Sequence, residues 1–562
     1  MGRKWKSKEQ LTDLLCDLVA IPSVSGSAAE RELPYFVRAG LAKLPYFERN
    51  PEHLRLHPTG DGRHFVTALA KRTEDTRDTI IVLSHYDVVD VKDYGTWEAL
   101  AFDPRKLTAK FYAEKASLPK AVQADLDQGD WLFGRGAMDM KCGLALHMSM
   151  LERACLGEFD GNVLLLTVPD EEVNSVGMRA AVPALLEMAE RYGLDYKAVV
   201  NSEPVFSRHP GDLANYVYTG TIGKVLPGFL CYGKETHVGE PLSGLNGNYM
   251  ASMLTCEFEL NADFCEFVDG ESTPPPTNQL QRDLKQDYSV QIPHRAVTLF
   301  NLFVLERSME ELVERLLQAA SRAVRRMEEA YASAVAATKA RGVDMNVAVL
   351  TFEQLLRRAE QAHGKAVVER LLRQTRERLA GRDDREVTIA LVDEVSILCK
   401  ELAPMTVLFF APPYYPAVSS RNDAFIRRAV DDLTALARDR YGVELERQHF
   451  FGGISDLSYV GTGKPASSLE LLVSNMPLWG EEYSLPLAEL ERFAVPVLNV
   501  APIGRDAHQR TERLDVDYSF GTLPEMLYAC LQNLFATSRG EAQKEAEEKV
   551  ENEEDRHEKT SR

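Results

Sequence analysis

A chain of 562 residues is too long for one ordinary core, so two or more domains are expected. Hydrophobic residues make up 45% and charged residues 27%, the balance of a globular protein in water. The net charge of -20 and the pI of about 5.2 exclude a general nucleic-acid binder, which needs a basic face. Eight cysteines without a CxxC pair argue against a disulfide framework and for the reducing cytosol. The basic start MGRKWKSKEQ lacks an apolar stretch behind it, so no secretory signal is expected. No apolar run reaches membrane length, and neither membrane nor nucleic acid is expected as a partner.

Ser7 followed by Gln10 has the form of a capping box, and Leu11, Leu14, Leu15 and Leu18 continue it as a helical stripe ending before Pro22. Residues 78–83 predict a strand that stops at Ser84-His85. A helix is expected over 141–156 and a strand over 162–168 that runs into Pro169-Asp170-Glu171-Glu172. A further strand over 197–202 runs into Glu203-Pro204. Helix and strand alternate, which is the pattern of an α/β fold with a mostly parallel sheet. From about residue 212 the pattern changes. Strands are expected over 213–232, 250–262 and 296–305, and residues 308–403 read as almost entirely helical with arginine and glutamate at helical spacing. A strand over 405–411, a helix over 422–440, a strand over 495–501 and a helix over 522–536 complete the pattern. The Glu/Lys-rich tail 540–562 reads as disordered.

Five motifs carry chemistry. In Ser84-His85-Tyr86-Asp87, extended backbone puts His85 and Asp87 on one side, where a carboxylate can hold one imidazole nitrogen and free the other for a metal. Asp139 sits in a loop with three glycines from Gly134 to Gly143, and its two oxygens could each take a cation; its bland alternative is a helix N-cap. Glu171 and Glu172 are adjacent carboxylates that repel unless a cation or a proton resolves them, although an acidic helix start would look alike. Glu203 follows another strand, and His508 lies in Gly504-Arg505-Asp506-Ala507-His508 after the last one. Oxygen ligands with imidazole suit two divalent ions, zinc first, with manganese or cobalt as alternatives.

Eight segments occur in the order found in the dinuclear zinc peptidase and deacylase family that includes aminoacylases, carboxypeptidase G and succinyl-diaminopimelate desuccinylase. They are HYDVVD, GTWEALAFDP, GRGAMDMKCG, PDEEVNSVGM, NSEP, KETHVGEPLSGLNG, GGISDLSYV and GRDAHQRTE. Its length and long helical region resemble the arginine-utilisation branch of that family. The resemblance implies that His85 and Glu203 hold one metal, Glu172 and His508 the other, and Asp139 both. It implies that Asp87 orients His85 and that Glu171 takes a proton from the attacking water and delivers it to the leaving amine. His237 matches a lid histidine that family members supply across a dimer interface to the oxyanion. A cis peptide is implied at Asp139-Met140, and Gly452, Gly453, Ser455 and Asp456 match a loop bordering the site.

The chain departs from the family pattern at Asp90, where proline is common, and at Cys142, where glycine is common. The lid arginine that anchors a substrate carboxylate has no counterpart in pattern, although Arg295 and Arg307 are near in sequence. The expected architecture is a catalytic domain split between 1–212 and 416–539. A lid and dimerisation domain, 213–415, is inserted and enlarged by the helical segment 308–403. The expected activity is hydrolysis of a peptide or N-acyl bond of an amino-acid derivative, in arginine utilisation by resemblance. An aminopeptidase or dipeptidase is the alternative within enzymes, and a non-catalytic metal-binding interaction protein the alternative outside them.

Overall fold

Eight strands form the main sheet of the computed structural model, which describes residues 3–539 apart from 210, 339, 340, 344 and 481. They are β1 (Leu54–Pro58), β2 (His64–Ala70), β3 (Asp78–His85), β4 (Asn162–Val168), β5 (Asp195–Asn201), β6 (Asn215–Tyr218), β7 (Leu445–Gln448) and β8 (Val497–Val500). Their spatial order is β1-β2-β4-β3-β5-β8-β6-β7. The centre, β4-β3-β5-β8, is parallel, and the β1-β2-β4 flank is antiparallel. The central strands read as unbroken apolar runs because both faces are covered; β4 is buried along its whole length. The helix Lys8–Val19 starts with the expected capping box and buries its leucine stripe. The helix Lys141–Cys155 is buried through most of its length, and Val176–Tyr192 connects β4 to β5. The tail 540–562 lies outside the described residues.

Two compact units result. The first takes the chain up to Thr221, Val418–Gly461 and from Ala488 onward; the second takes Ile222–Ala417 and Thr462–Leu487. The second unit has its own five-stranded sheet, in the order Thr277–Asp283, Arg295–Val304, Gly223–Tyr232, Met405–Tyr415, Ala348–Thr351. Only the last pairing is parallel. The helices Phe352–His363, Lys365–Arg378 and Asp384–Leu398 contribute Leu355, Val368, Ile389, Val392 and Val395 to an apolar cluster with this sheet.

Several expectations are corrected here. Residues 250–262 are not a strand: Gly247–Phe258 is a helix, capped by Asn246 and burying Met250, Ala251, Leu254 and Phe258. That spacing is helical, and the apolar residues at its centre hid it. The helical stretch 308–403 contains a strand, Ala348–Thr351, too short to interrupt the pattern, which pairs with Met405–Leu408. Within 213–232, Asn215–Tyr218 joins the sheet of the first unit. Residues 462–487, assigned by sequence to the catalytic part, belong to the second unit. Their Asn475 accepts the Phe410 N–H on its carbonyl at 2.8 Å and the Glu353 N–H on its side chain at 2.9 Å.

Candidate metal centre

The parallel strands β3, β4, β5 and β8 all end on one side of the sheet, where the loops of an open α/β sheet surround a crevice. His85 is the last residue of β3, Glu171 and Glu172 follow β4, Glu203 follows β5, and His508 follows β8. Asp139 comes from the loop that opens the helix Lys141–Cys155, and its peptide bond to Met140 is cis.

Asp139 stands between the two imidazoles. Its Oδ1 lies 3.3 Å from His85 Nε2 and its Oδ2 lies 3.2 Å from His508 Nε2. Glu203 Oε1 is 3.6 Å from His85 Nε2, and Glu172 Oε1 is 3.1 Å from His508 Nε2. Three groups among the described residues could hold a cation: His85-Asp139-Glu203 and Asp139-Glu172-His508, which share Asp139, and His85-Glu171-Glu172. Glu171 Oε2 is 3.9 Å from His85 Nε2.

The residues fit a pair of cations. His85 Nδ1 donates to the Asp87 carbonyl at 3.1 Å; a carbonyl only accepts, so Nδ1 carries the proton and Nε2 is left to bind. Nε2 is buried and makes no hydrogen bond, although carboxylates face it. Burial disfavours a charged His85, yet the negative field of Glu203 and Asp139 raises its pKa well above the ordinary value. Burial would likewise lower His508, and its hydrogen bonds to Asp139 and Glu172 push it up to about 11. Glu171 and Glu203 are raised well above the usual carboxylate range, chiefly by burial and then by their acidic neighbours, His85 opposing. Acids and imidazoles so crowded hold protons that divalent cations would displace.

Supporting contacts explain why the loops converge. The expectation that the Asp87 carboxylate clamps His85 holds only loosely, since Oδ1 is 3.5 Å from Nδ1 and the backbone carbonyl makes the bond. The carboxylate instead accepts the N–H groups of Glu171 at 3.0 Å and Glu172 at 3.3 Å and the Ser25 hydroxyl at 2.7 Å. It thereby fixes the acidic pair relative to β3. Asp170, with φ of 72°, pairs with Arg63 at 2.5 Å and accepts the Val176 N–H, which turns the chain sharply enough to aim both glutamates inward. His508 and Asp506 also have left-handed backbone, at φ of 63° and 60°. Left-handed non-glycine residues are uncommon and gather at functional sites.

All the expected site residues except His237 meet in the first unit. His237 lies in the second unit, exposed, on a loop where its Nδ1 accepts the Gly239 N–H at 3.1 Å. Arg295 is tied to Asp393 at 2.6 Å, and Arg307 donates to the carbonyls of Phe264 and Cys265. Both are occupied within the second unit. Asp456, buried in the first unit, has its carboxyl raised to about 7 by burial. Arg63 and Ser25 escaped the sequence reading, and Arg135 and Glu512 stood in its motifs without a role, because their partners are distant in sequence.

The sequence matches the peptidase family M20/M25/M40 over residues 81–476. The Bacillus subtilis protein YqjN is 46% identical across 96% of this chain and 99% of its own length. Protein RocB of the same organism is 28% identical across 94% of this chain and 96% of its own. Among solved structures, the M20 family metallo-carboxypeptidase Sso-CP2 of Sulfolobus solfataricus superposes with a TM-score of 0.53 at 13% identity, covering 93% of this chain and 99% of that one. The di-peptidase Dug1p of Saccharomyces cerevisiae gives 0.51 at 13% identity, covering 94% and 96%. At those identities the structural likeness speaks for the fold.

Proposed function

Because the chain belongs to the M20/M25/M40 peptidase family, we propose that it hydrolyses an amide bond of an amino-acid derivative with two divalent cations. Asp139 holds both cations, His85 and Glu203 hold one, and Glu172 and His508 hold the other. The observation that carries this reading is the shared carboxylate, with one oxygen 3.3 Å from His85 and the other 3.2 Å from His508. Zinc suits the mixture of imidazole and carboxylate. When bound, the cations would supply Lewis acidity, lowering the pKa of the attacking water toward neutral pH and polarising the scissile carbonyl.

The side chains manage the protons and the geometry. Glu171, beside the first triad but not needed as a ligand, takes a proton from the attacking water and passes it to the leaving nitrogen. Once it has taken that proton, the same carboxyl is the acid that the leaving nitrogen requires. Asp87 holds the N–H groups of both glutamates and so keeps base and ligand at fixed spacing. The substrate class we favour is an N-acyl amino acid or short peptide. Arginine-linked compounds come first because the whole chain, helical region included, resembles the arginine-utilisation branch. His237, supplied by the second unit of a partner copy, completes the oxyanion site in this reading.

The test is Glu171→Gln assayed against N-acyl amino acids and free dipeptides, arginine-containing members included, with metal content measured in parallel. The variant should keep the metal content of the wild type and lose activity by about 10²–10⁴-fold, the range expected when a general base is removed. Equal activity in the two proteins overturns the mechanism.

A further inference from the structure

The loop that carries His508 also carries a carboxylate to which the hydrolytic reading assigns no task. Glu512 is 0% exposed. Its Oε2 accepts from Arg135 at 2.8 Å, and its Oε1 accepts the backbone N–H groups of Met138 at 3.3 Å and Asp139 at 3.5 Å. Arg135, 1% exposed, turns its other terminal nitrogen to Asp93 at 2.8 Å and stacks over the Tyr94 ring. The backbone repeats the link, since the Gly134 N–H donates to the Glu512 carbonyl at 3.3 Å.

A buried ion pair is a poor device for stability alone, because apolar residues of the same volume serve as well or better. This pair has a geometric consequence instead. Glu512 grips the backbone of the residue that both triads share, from a loop whose other functional residue is the imidazole of the second triad. The separation between Asp139 and His508 is therefore set by Glu512, with Arg135 holding the glutamate in place.

We propose that Glu512 is a positioning residue for the cation position formed by Asp139, Glu172 and His508, acting through the backbone of Asp139 without touching substrate. The proposal rests on the two-cation reading above. Carboxylates that orient ligands from behind carry a known order of effect, about 10–100-fold in metal affinity or activity when removed.

The experiment is a titration of metal-depleted protein with Co2+, read by its visible absorption, on wild type, Glu512→Gln and Glu172→Gln. Wild type should take up two equivalents. Glu512→Gln should bind one equivalent as wild type does and the other about 10–100-fold more weakly. Its one-equivalent spectrum should match that of Glu172→Gln, which lacks a ligand at the same position. KM should stay near wild type while kcat falls, and the metal-free melting temperature should fall because Arg135 loses its buried counter-charge; a merely structural role would lower the melting temperature and spare the spectrum. If Glu512→Gln does not fold, the double variant Arg135→Met with Glu512→Met removes both charges together and should show the same weakened second equivalent. Two equivalents at wild-type affinity in the variant overturn the positioning role alone. A wild type that takes up no Co2+ overturns this proposal and the two-cation reading together.

Discussion

A neutral imidazole offers one nitrogen to a cation only when the other is committed, and His85 commits Nδ1 to the carbonyl of Asp87. His147 makes the contrast. It lies in the fully buried part of the helix Lys141–Cys155, bonds the Ser202 hydroxyl at 3.0 Å, and belongs to none of the candidate ligand groups among the described residues. Burial pulls its pKa down to about 3. A histidine depressed in the folded state is neutral there while the unfolded chain, near 6.5, takes up a proton. Its contribution to stability is complete above about pH 6.5 and is lost as the pH falls toward 3. Between pH 7 and pH 5 the loss is about 2 kcal/mol at 1.36 kcal/mol per pH unit. Denaturant titrations of wild type and His147→Gln should therefore converge by about that amount on going from pH 7 to pH 5; a constant difference would show that His147 takes up its proton as readily in the fold as in the unfolded chain.

At the scale of elements, legibility follows burial. The strand Asn162–Val168 and the helix start at Ser7 were visible because one has an apolar run at its centre and the other carries both partners of its cap within four residues. Gly247–Phe258 was hidden because its apolar residues cluster at the centre, where a strand and a helix look alike. Ala348–Thr351 was hidden because four residues cannot establish a period. The site divides in the same way. The candidate ligands His85, Glu172, Glu203 and His508 were legible because each ends or follows a strand with an apolar run. The contacts of Arg63 with Asp170 and of Arg135 with Glu512 join residues far apart in sequence, and no local pattern announces them. The correction at Gly247–Phe258 is itself testable. Leu254, 2% exposed, is buried on the helix, so Leu254→Ala should cost about 2–5 kcal/mol in unfolding free energy. Thr255, on the same helix, is partly exposed, and Thr255→Ala should cost well under half of that. Equal costs would contradict the helical face.

At the scale of the molecule, five segments spread from β3 to the loop after β8 contribute the candidate ligands, and all of them belong to the first unit. Cations bound there would stabilise the folded arrangement of that unit by mass action, about 4 kcal/mol at a thousandfold excess over the dissociation constant. Chelation should therefore lower the melting transition of the first unit and leave that of the second unit in place, as followed by calorimetry with and without a chelator. A chelator that shifts neither transition would mean that these side chains bind no metal in the folded protein. No helix among the described residues is long and apolar enough to cross a membrane. The most direct measurement is anomalous diffraction from crystals grown with zinc. Two peaks are expected about 3.5–4 Å apart, the spacing of two-metal hydrolytic sites. One should lie against His85 and Glu203, the other against Glu172 and His508, with Asp139 touching both. A single peak, or peaks that leave Asp139 untouched, would contradict the account.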